Sequence, residues 1–182
     1  YLVASTNATA ISNLQADVVS DWRSPGYSAD LVIITHEDFY SEALRLKSLH
    51  ENLLTDDRRQ TEVVKIQDVF DEFSGGLYDP TAIRDFLKYA FTNWQKAPEY
   101  VLLFGDGDHD PKNILDNSDK NWIPTYQTTE YDEIGNRTTD HWFTYVAGTD
   151  AVMDMAIGRI PARSPQQAKD YVDKVVAYVD PS

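Results

Sequence analysis

Strand-like and helix-like patterns alternate along this chain. Runs of β-branched or continuous apolar residues predict strands; these lie at Leu31–Ile34, Glu62–Ile66, Tyr100–Phe104, Ile123–Gln127, Trp142–Val146 and Met155–Ile160. Apolar residues that recur every three or four positions predict amphipathic helices; these lie over 37–54, between Pro80 and Pro98, and over 164–179. Between residues 66 and 79 the sequence predicts a loop through Gly75-Gly76.

Three local signals predict where the helices begin. Thr35 is a candidate N-cap for the first helix, and Asp79 before Pro80 is a candidate start for the second. Ser164-Pro165-x-Gln167 has the form of a capping box at the start of the third. Strands that alternate with helices predict an α/β fold, a doubly wound and mostly parallel sheet with helices on both faces.

The domain organisation follows from the same pattern. Residues 1–29, rich in Ser, Thr, Asn and Ala, are predicted to form a lead-in arm, and residues 30–180 to form one α/β subdomain. The chain begins with Tyr1, and its last residues, Val179-Asp-Pro-Ser182, place a Pro just after a predicted helix, which predicts a piece of a longer protein. In parallel sheets, functional groups gather beyond the carboxyl ends of the strands. The loop after Phe104 is therefore the first place to look for chemistry.

The amino-acid composition argues against several classes of partner and of chemistry. Thirty acidic residues against sixteen Lys and Arg give a formal net charge of −14, which disfavours nucleic acid and acidic membrane surfaces as partners. Half of that excess lies in residues 101–160, where eleven acids face four bases. The chain has no cysteine, which excludes disulfides, Cys-ligated metals and a thiol nucleophile within these residues. No apolar run approaches the roughly 20 residues that a membrane span needs.

The acidic loop predicts a metal site. In Gly105-Asp-Gly-Asp-His-Asp110, three aspartates alternate with other residues. Asp106, Asp108 and Asp110 could together offer a calcium ion the hard oxygen ligands that it prefers. The loop lacks the Gly and the Glu that complete an EF-hand. In the alternative interpretation, Asp106 caps backbone donors at the strand end and the other two aspartates are solvated.

Other chemistries fit the residues less well. A dinucleotide cradle needs a third Gly, and three carboxylates would repel a pyrophosphate. A metal-dependent phosphoesterase with two metal ions needs several His ligands, and the chain has four His in all. His109-Asp110 and Asp140-His141 are neighbours in sequence, and neighbours on a strand point to opposite faces. Arg159 could bind a substrate carboxylate or pair with a nearby Asp.

Several stretches together resemble the amino-terminal subdomain of the gingipain family of cysteine peptidases. The stretches that carry the resemblance are DLVIITHEDFY from Asp30, VFDEFSGGLYDPTAIRDFLKYAFTNW from Val69, EYVLLFGDGDHDPKN from Glu99, IPTY from Ile123 and DHWFTYVAGTDAVMDMAIGRIPARSPQQAKDYVDKVVAY from Asp140. They cover nearly the whole chain after the arm. The sequence departs from the family pattern in the long charged connection over 51–60 and in His141, where a second acidic residue is common.

The resemblance implies a caspase-like fold and a catalytic domain in two parts. The family's His stands in a Gly-His-Gly setting and its nucleophile is a Cys, and neither is present in this chain. No catalytic residue can therefore be carried over, and the chain alone is predicted to be inactive. The resemblance also implies calcium binding, which would involve Asp106, Asp108 and Asp110, and a secreted or surface-exposed bacterial protein.

The sequence thus predicts the first subdomain of a secreted, gingipain-like cysteine endopeptidase that acts on protein or peptide substrates. Its expected partner is a second catalytic subdomain of the same polypeptide, with the His and Cys beyond Ser182. Neither nucleic acid nor a membrane span is expected. The alternative is a non-catalytic relative, a calcium-stabilised module for binding or protein export. A metal-dependent phosphoesterase remains a further alternative.

Overall fold

A computed structural model describes residues 18–53, 58–108, 110, 120–128 and 137–179 of the chain. The first seventeen residues of the predicted lead-in arm lie outside the described residues. So do His109, the later part of the acidic loop over 111–119, and residues 180–182. The statements below concern the described parts.

A four-stranded parallel sheet forms the centre of the fold. Its strands are β1 (Leu31–Thr35), β2 (Thr61–Lys65), β3 (Tyr100–Phe104) and β6 (Ala156–Ile160), in the order β2-β1-β3-β6. Two short strands, β4 (Tyr126–Gln127) and β5 (Thr138–Thr139), pair antiparallel outside this sheet. The parallel sheet confirms the predicted α/β class. β1 is buried at all five positions, as a central strand covered on both faces should be.

Four α-helices flank the sheet. They are α1 (Tyr40–Ser48), α2 (Ile66–Ser74), α3 (Thr81–Asn93) and α4 (Pro165–Val179). A 3-10 turn over Glu37–Phe39 leads into α1, and a π-helical turn over Leu49–Leu53 follows it. The predicted starts of α3 and α4 are confirmed: Asp79 Oδ1 accepts from Thr81 N at 2.9 Å, and Ser164 Oγ accepts from Gln167 N at 3.2 Å.

Two predicted elements were wrong. The segment before Gly75 is helix α2 rather than loop, because its apolar residues at 66, 69 and 70 follow helical spacing and begin directly where β2 ends. Gly75 ends this helix in the left-handed region at φ 64°. The predicted strand over 142–146 is instead a 3-10 turn, His141–Thr144. There Phe143 enters the core while Trp142 stacks on Tyr126.

The helices cover both faces of the sheet. α2, α3 and the 3-10 turn over 141–144 pack on one face, against side chains such as Val32 and Leu103. α1 and α4 pack on the other, against Ile33 and Phe104. We call these the α2/α3 face and the α1/α4 face. No helix among the described residues is long and apolar enough to span a membrane.

The described part of the predicted arm packs on the α2/α3 face. Trp22 lies among the rings of Tyr27, Phe86 and Trp94, and its main-chain N–H donates to Glu72 at 2.9 Å. Residues 18–29 thus add an aromatic layer beside α3 instead of leading freely into the fold.

Candidate functional site

The loop after β3 is held close to two other segments. Asp106 N–H donates to the carbonyl of Ala162 at 2.9 Å, and the Asp106 carbonyl accepts from the N–H groups of Trp122 and Ile123 at 2.9 and 3.0 Å. The end of β3 therefore meets the segment after β6 on one side and residues 122–125 on the other.

The two glycines of Gly105-Asp-Gly107 are required by this close approach. A Cβ on Gly107 would lie 2.6 Å from the Ile123 carbonyl oxygen, and one on Gly105 would lie 2.9 Å from Ile123 Cγ1. Gly105 also has φ 148°, in the region that favours glycine. The motif is thus a close-packing device in this fold.

The three aspartates of the predicted calcium site have different surroundings. Asp106 Oδ2 accepts from Arg163 Nε at 2.6 Å. Asp108 Oδ1 accepts from the main-chain N–H of Asp110 at 2.7 Å. Asp110 is 9% exposed. The expected cap of Asp106 on the strand end is thus replaced by an ion pair, and Asp108 is the residue that caps a backbone donor.

As they stand, these side chains do not form a metal cage. Among the described residues there is no group of three or more Asp, Glu or His side chains that could hold one ion. A calcium ion here would have to compete with Arg163 for Asp106, or draw ligands from outside the described residues. Calcium at Asp106, Asp108 and Asp110 therefore stays a prediction.

Arg159 joins four segments at the carboxyl edge of the sheet. Its guanidinium meets the Asp140 carboxylate in a two-pronged contact, Nε to Oδ2 at 2.8 Å and Nη2 to Oδ1 at 2.7 Å. It also donates to the carbonyls of Gly105, Ile123 and Pro124 at 2.7, 2.8 and 3.1 Å. With its side chain 12% exposed, Arg159 pairs with a nearby Asp, the second of the two interpretations.

A second acidic side chain fixes the segment before β6. Asp154 Oδ2 accepts from the main-chain N–H groups of Val146 and Ala147 at 2.9 and 2.8 Å. Asp140 and Asp154 are therefore both engaged in holding the chain between the 3-10 turn and β6. Like Asp106 and Asp108, these two acids therefore have structural partners within the fold.

A cleft of about 380 Å³ opens beside this region, at the carboxyl ends of β1 and β2. His36, directly after β1, and Trp122 lie on one side of it, and Tyr78 and the start of α2 on the other. The His36 ring meets the Trp122 ring edge-on at 4.8 Å, and Trp122 lies 4.5 Å from the Phe39 ring. The cleft therefore combines an apolar and aromatic lining with the polar groups of His36 and Tyr78.

The surroundings of His36 in the cleft favour the neutral form of its side chain. Its Nδ1 accepts from Asp38 N at 3.1 Å, so His36, not Thr35, caps the turn that leads into α1. Burial lowers the pKa of His36, and the Lys120 ammonium lowers it further, against the opposing carboxylates of Asp38 and Glu37. Burial raises the pKa of the Tyr78 phenol, because burial disfavours the charged form here too. The positive charge of Arg159 acts in the opposite direction.

The expectation that functional groups gather beyond the carboxyl ends of the strands indicated the loop after β3. It did not indicate His36 and Tyr78. His36 could have been found with the same rule, because it is the first residue after β1. Tyr78 carries no such signal, since it lies in the loop after a helix that the sequence pattern did not predict. His141 is exposed at the start of its turn, and its N–H donates to Thr139 Oγ1 at 3.2 Å.

Comparisons with known proteins bear on this site. The profile of peptidase family C25 matches residues 24–182. The latent PorU dimer of Porphyromonas gingivalis shares 28% identity and a TM-score of 0.67 over 84% of this chain. The Arg-specific cysteine proteinase gingipain R (RgpB) shares 21% identity and a TM-score of 0.56 over 90% of it. At that identity the gingipain comparison supports the fold alone.

The same fold recurs in the complex of the pro- and mature domains of RgpB from P. gingivalis, with 22% identity and a TM-score of 0.56 over 81% of this chain. The chain spans only 16% of the PorU chain and 28–30% of the two RgpB chains. No curated protein sequence matches the chain.

Proposed function

The chain belongs to peptidase family C25, and on that premise we propose that it is the first α/β subdomain of a secreted, gingipain-like cysteine endopeptidase. One observation carries the proposal: the family profile spans every described helix and strand, while the 182 residues contain no cysteine. A thiol nucleophile must then come from polypeptide outside these residues.

In the proposed protein this subdomain is a scaffold. A second subdomain supplies the Cys, whose thiolate attacks the scissile carbonyl, and the His, which manages the protons. Arg159, Asp140 and Asp154 hold the loops of this subdomain in place, and none of them is assigned a catalytic role. The acidic residues over 101–160 favour the approach of basic peptides.

The test compares this chain with the longer polypeptide that contains it. We expect the longer protein to hydrolyse casein and basic peptides, to lose activity on alkylation by iodoacetamide, and to regain none of it with added metal. The 182-residue chain should hydrolyse neither substrate. Hydrolysis by the short chain, or activity that alkylation leaves intact, would contradict the proposal.

The alternatives are separate outcomes of the same experiment. A longer polypeptide that folds but shows no thiol-dependent hydrolysis would favour the non-catalytic binding or export module. Metal-dependent release of phosphate from p-nitrophenyl phosphate would favour the phosphoesterase. Secretion is tested by locating the full-length protein in culture medium, cell surface and cytoplasmic fractions.

Calcium binding is proposed separately, at Asp106, Asp108 and Asp110. We expect about 1 to 10 mM calcium, at or above the dissociation constants of roughly 0.1 to 1 mM of extracellular calcium modules, to raise the melting temperature, because a ligand that binds only the folded state stabilises it. The Asp108→Ala variant should lose this rise, and Asp85→Ala, on the exposed face of α3, should keep it. If wild-type protein shows neither a rise nor binding heat, the site is excluded.

A further inference from the structure

Part of the α1/α4 face is left uncovered. At the amino ends of β3 and β6, Tyr100 is 36% exposed, Leu102 is half-buried, and Ala156 and Gly158 are exposed. We call these four residues the open face. They line a mainly apolar groove of about 410 Å³, which the π-helical turn after α1 and Arg59 bound on the side of β1.

The outer side of β6, beside the open face, is paired with no strand among the described residues. Within the described residues β6 pairs only with β3. Ala156 N–H donates to the Glu99 carbonyl, so by alternation the main-chain groups of Ile157 and Arg159 point to the outer side. β6 has neither the Pro nor the Lys that natural edge strands use against pairing.

The direction in which the chain leaves β6 follows from the handedness of the fold. From β1 the chain crosses the α1/α4 face through α1 and reaches β2. Crossovers between parallel strands are right-handed in about 98% of cases. Because α4 lies on the same face as α1, a right-handed crossover from β6 through α4 to a further strand of this sheet would run in the same direction, from β6 back toward β2.

The length of α4 sets where that connection starts. Its fifteen residues span about 22 Å at 1.5 Å per residue, more than the roughly 16 Å of a five-residue strand. Since α4 begins beyond the carboxyl end of β6, it ends near the amino ends of the strands. A connection toward β2 from that point crosses the groove. Leu102 belongs both to the groove and to the cluster on which α4 packs.

We propose that, in the longer polypeptide, the segment directly after α4 lies across the open face with apolar side chains against Leu102, Ala156 and Gly158. The proposal rests on the proposed function only in requiring that the polypeptide continues. The relatives support this requirement, because their chains are three to six times as long as the matched part, which is 16–30% of them. A Cβ added to Gly158 would meet nothing within 4 Å, so this position allows the segment a close approach.

The experiment uses the absence of cysteine in this chain. Gly158→Cys places a thiol in the groove, and Lys88→Cys places a matched thiol on the exposed face of α3, on the other side of the sheet. Labelling with N-ethylmaleimide is followed at each site by peptide mass spectrometry. Three proteins are compared: the 182-residue chain, a version that extends about 30 residues beyond Ser182, and the full-length protein.

We expect labelling of the Gly158→Cys variant at the groove to slow at least tenfold in both longer proteins, and the control site to react equally in all three. In wild-type protein, amide exchange of residues 155–160 should slow in parallel, which guards against a variant that folds poorly. Unchanged labelling in both longer proteins overturns the proposal. Protection only in full-length protein assigns the face to a distant subdomain, and protection that rises with concentration of the short chain assigns it to a second copy.

Peptidase activity is measured on a portion of each full-length sample taken before N-ethylmaleimide is added, because the reagent would also alkylate the proposed catalytic Cys. An active enzyme with a fully reactive groove thiol would refute the docking segment and leave the proposed function standing. An inactive protein with a protected groove thiol would refute the proposed function and leave the docking segment standing.

Discussion

At the scale of single residues, the carboxyl edge of the sheet depends on charged side chains that differ in exposure. The Arg159–Asp140 pair is 12% and 22% exposed, whereas Arg163, which pairs with Asp106, is 59% exposed. Water screens the second pair more effectively, so the two ion pairs should differ in what they contribute to stability.

Arg159→Lys should destabilise the fold by about 2 to 4 kcal/mol, because a lysine cannot make the two-pronged contact and leaves Asp140 and several carbonyls unsatisfied. The matched change Arg163→Lys should cost under about 1 kcal/mol. Urea unfolding followed by tryptophan fluorescence measures both. Equal losses for the two variants would contradict this ranking.

Glycines at two positions give a second contrast at the residue scale. Gly107→Ala should cost about 2 kcal/mol, because the new methyl group would meet the Ile123 carbonyl at 2.6 Å and force the chain apart. Gly158→Ala should change stability by less than about 0.5 kcal/mol in this chain, since its surroundings are open. Thermal unfolding of the two variants checks this, and a neutral Gly107→Ala would refute the close-packing role.

At the scale of elements, the sequence predicted what hydrophobic periodicity can specify. β3 and α3 were predicted because each has one uniform pattern and clear boundary residues. α2 was not, because it follows β2 without a turn and its apolar residues extend the strand run. The 3-10 turn at Trp142 resembles a strand in sequence because aromatic residues favour strands, and the local pattern carries no sign of the stacking of Trp142 on Tyr126.

The candidate site was predictable only in part for a similar reason. The loop after β3 is marked by its position and by its aspartates. The ion pair of Asp106 with Arg163 and the contacts of Arg159 join residues up to 57 positions apart, and local patterns carry no information on such partners. The sequence motif therefore indicated where the groups lie but not how they pair.

At the scale of the whole molecule, the cleft makes stability depend on pH. The pKa of His36 is lowered in the folded state, so below about pH 6.5, the ordinary pKa of histidine, the unfolded chain takes up a proton that the folded chain resists. The stability contributed by neutral His36 is present above that pH and is lost as the pH falls toward the folded-state pKa.

The free energy of unfolding should therefore fall more for wild-type protein than for His36→Asn between pH 7.5 and 5.5. Asn keeps an acceptor for the Asp38 N–H but does not titrate. His141→Asn, at an exposed position, is the matched control and should follow the wild type. Chemical denaturation at several pH values measures the difference, and parallel curves for all three proteins would count against a lowered pKa of the half-buried His36.

The contacts of Arg159 also bear on the order in which the molecule assembles. Pairing of β6 with β3 sets Arg159 opposite Leu103, so the sheet closes this stretch of chain before the Arg159 side chain can reach Gly105, Ile123 and Asp140. We therefore expect the carboxyl edge to form after the sheet in folding and to open first in unfolding. In kinetic experiments Arg159→Lys should then speed unfolding and leave the folding rate nearly unchanged.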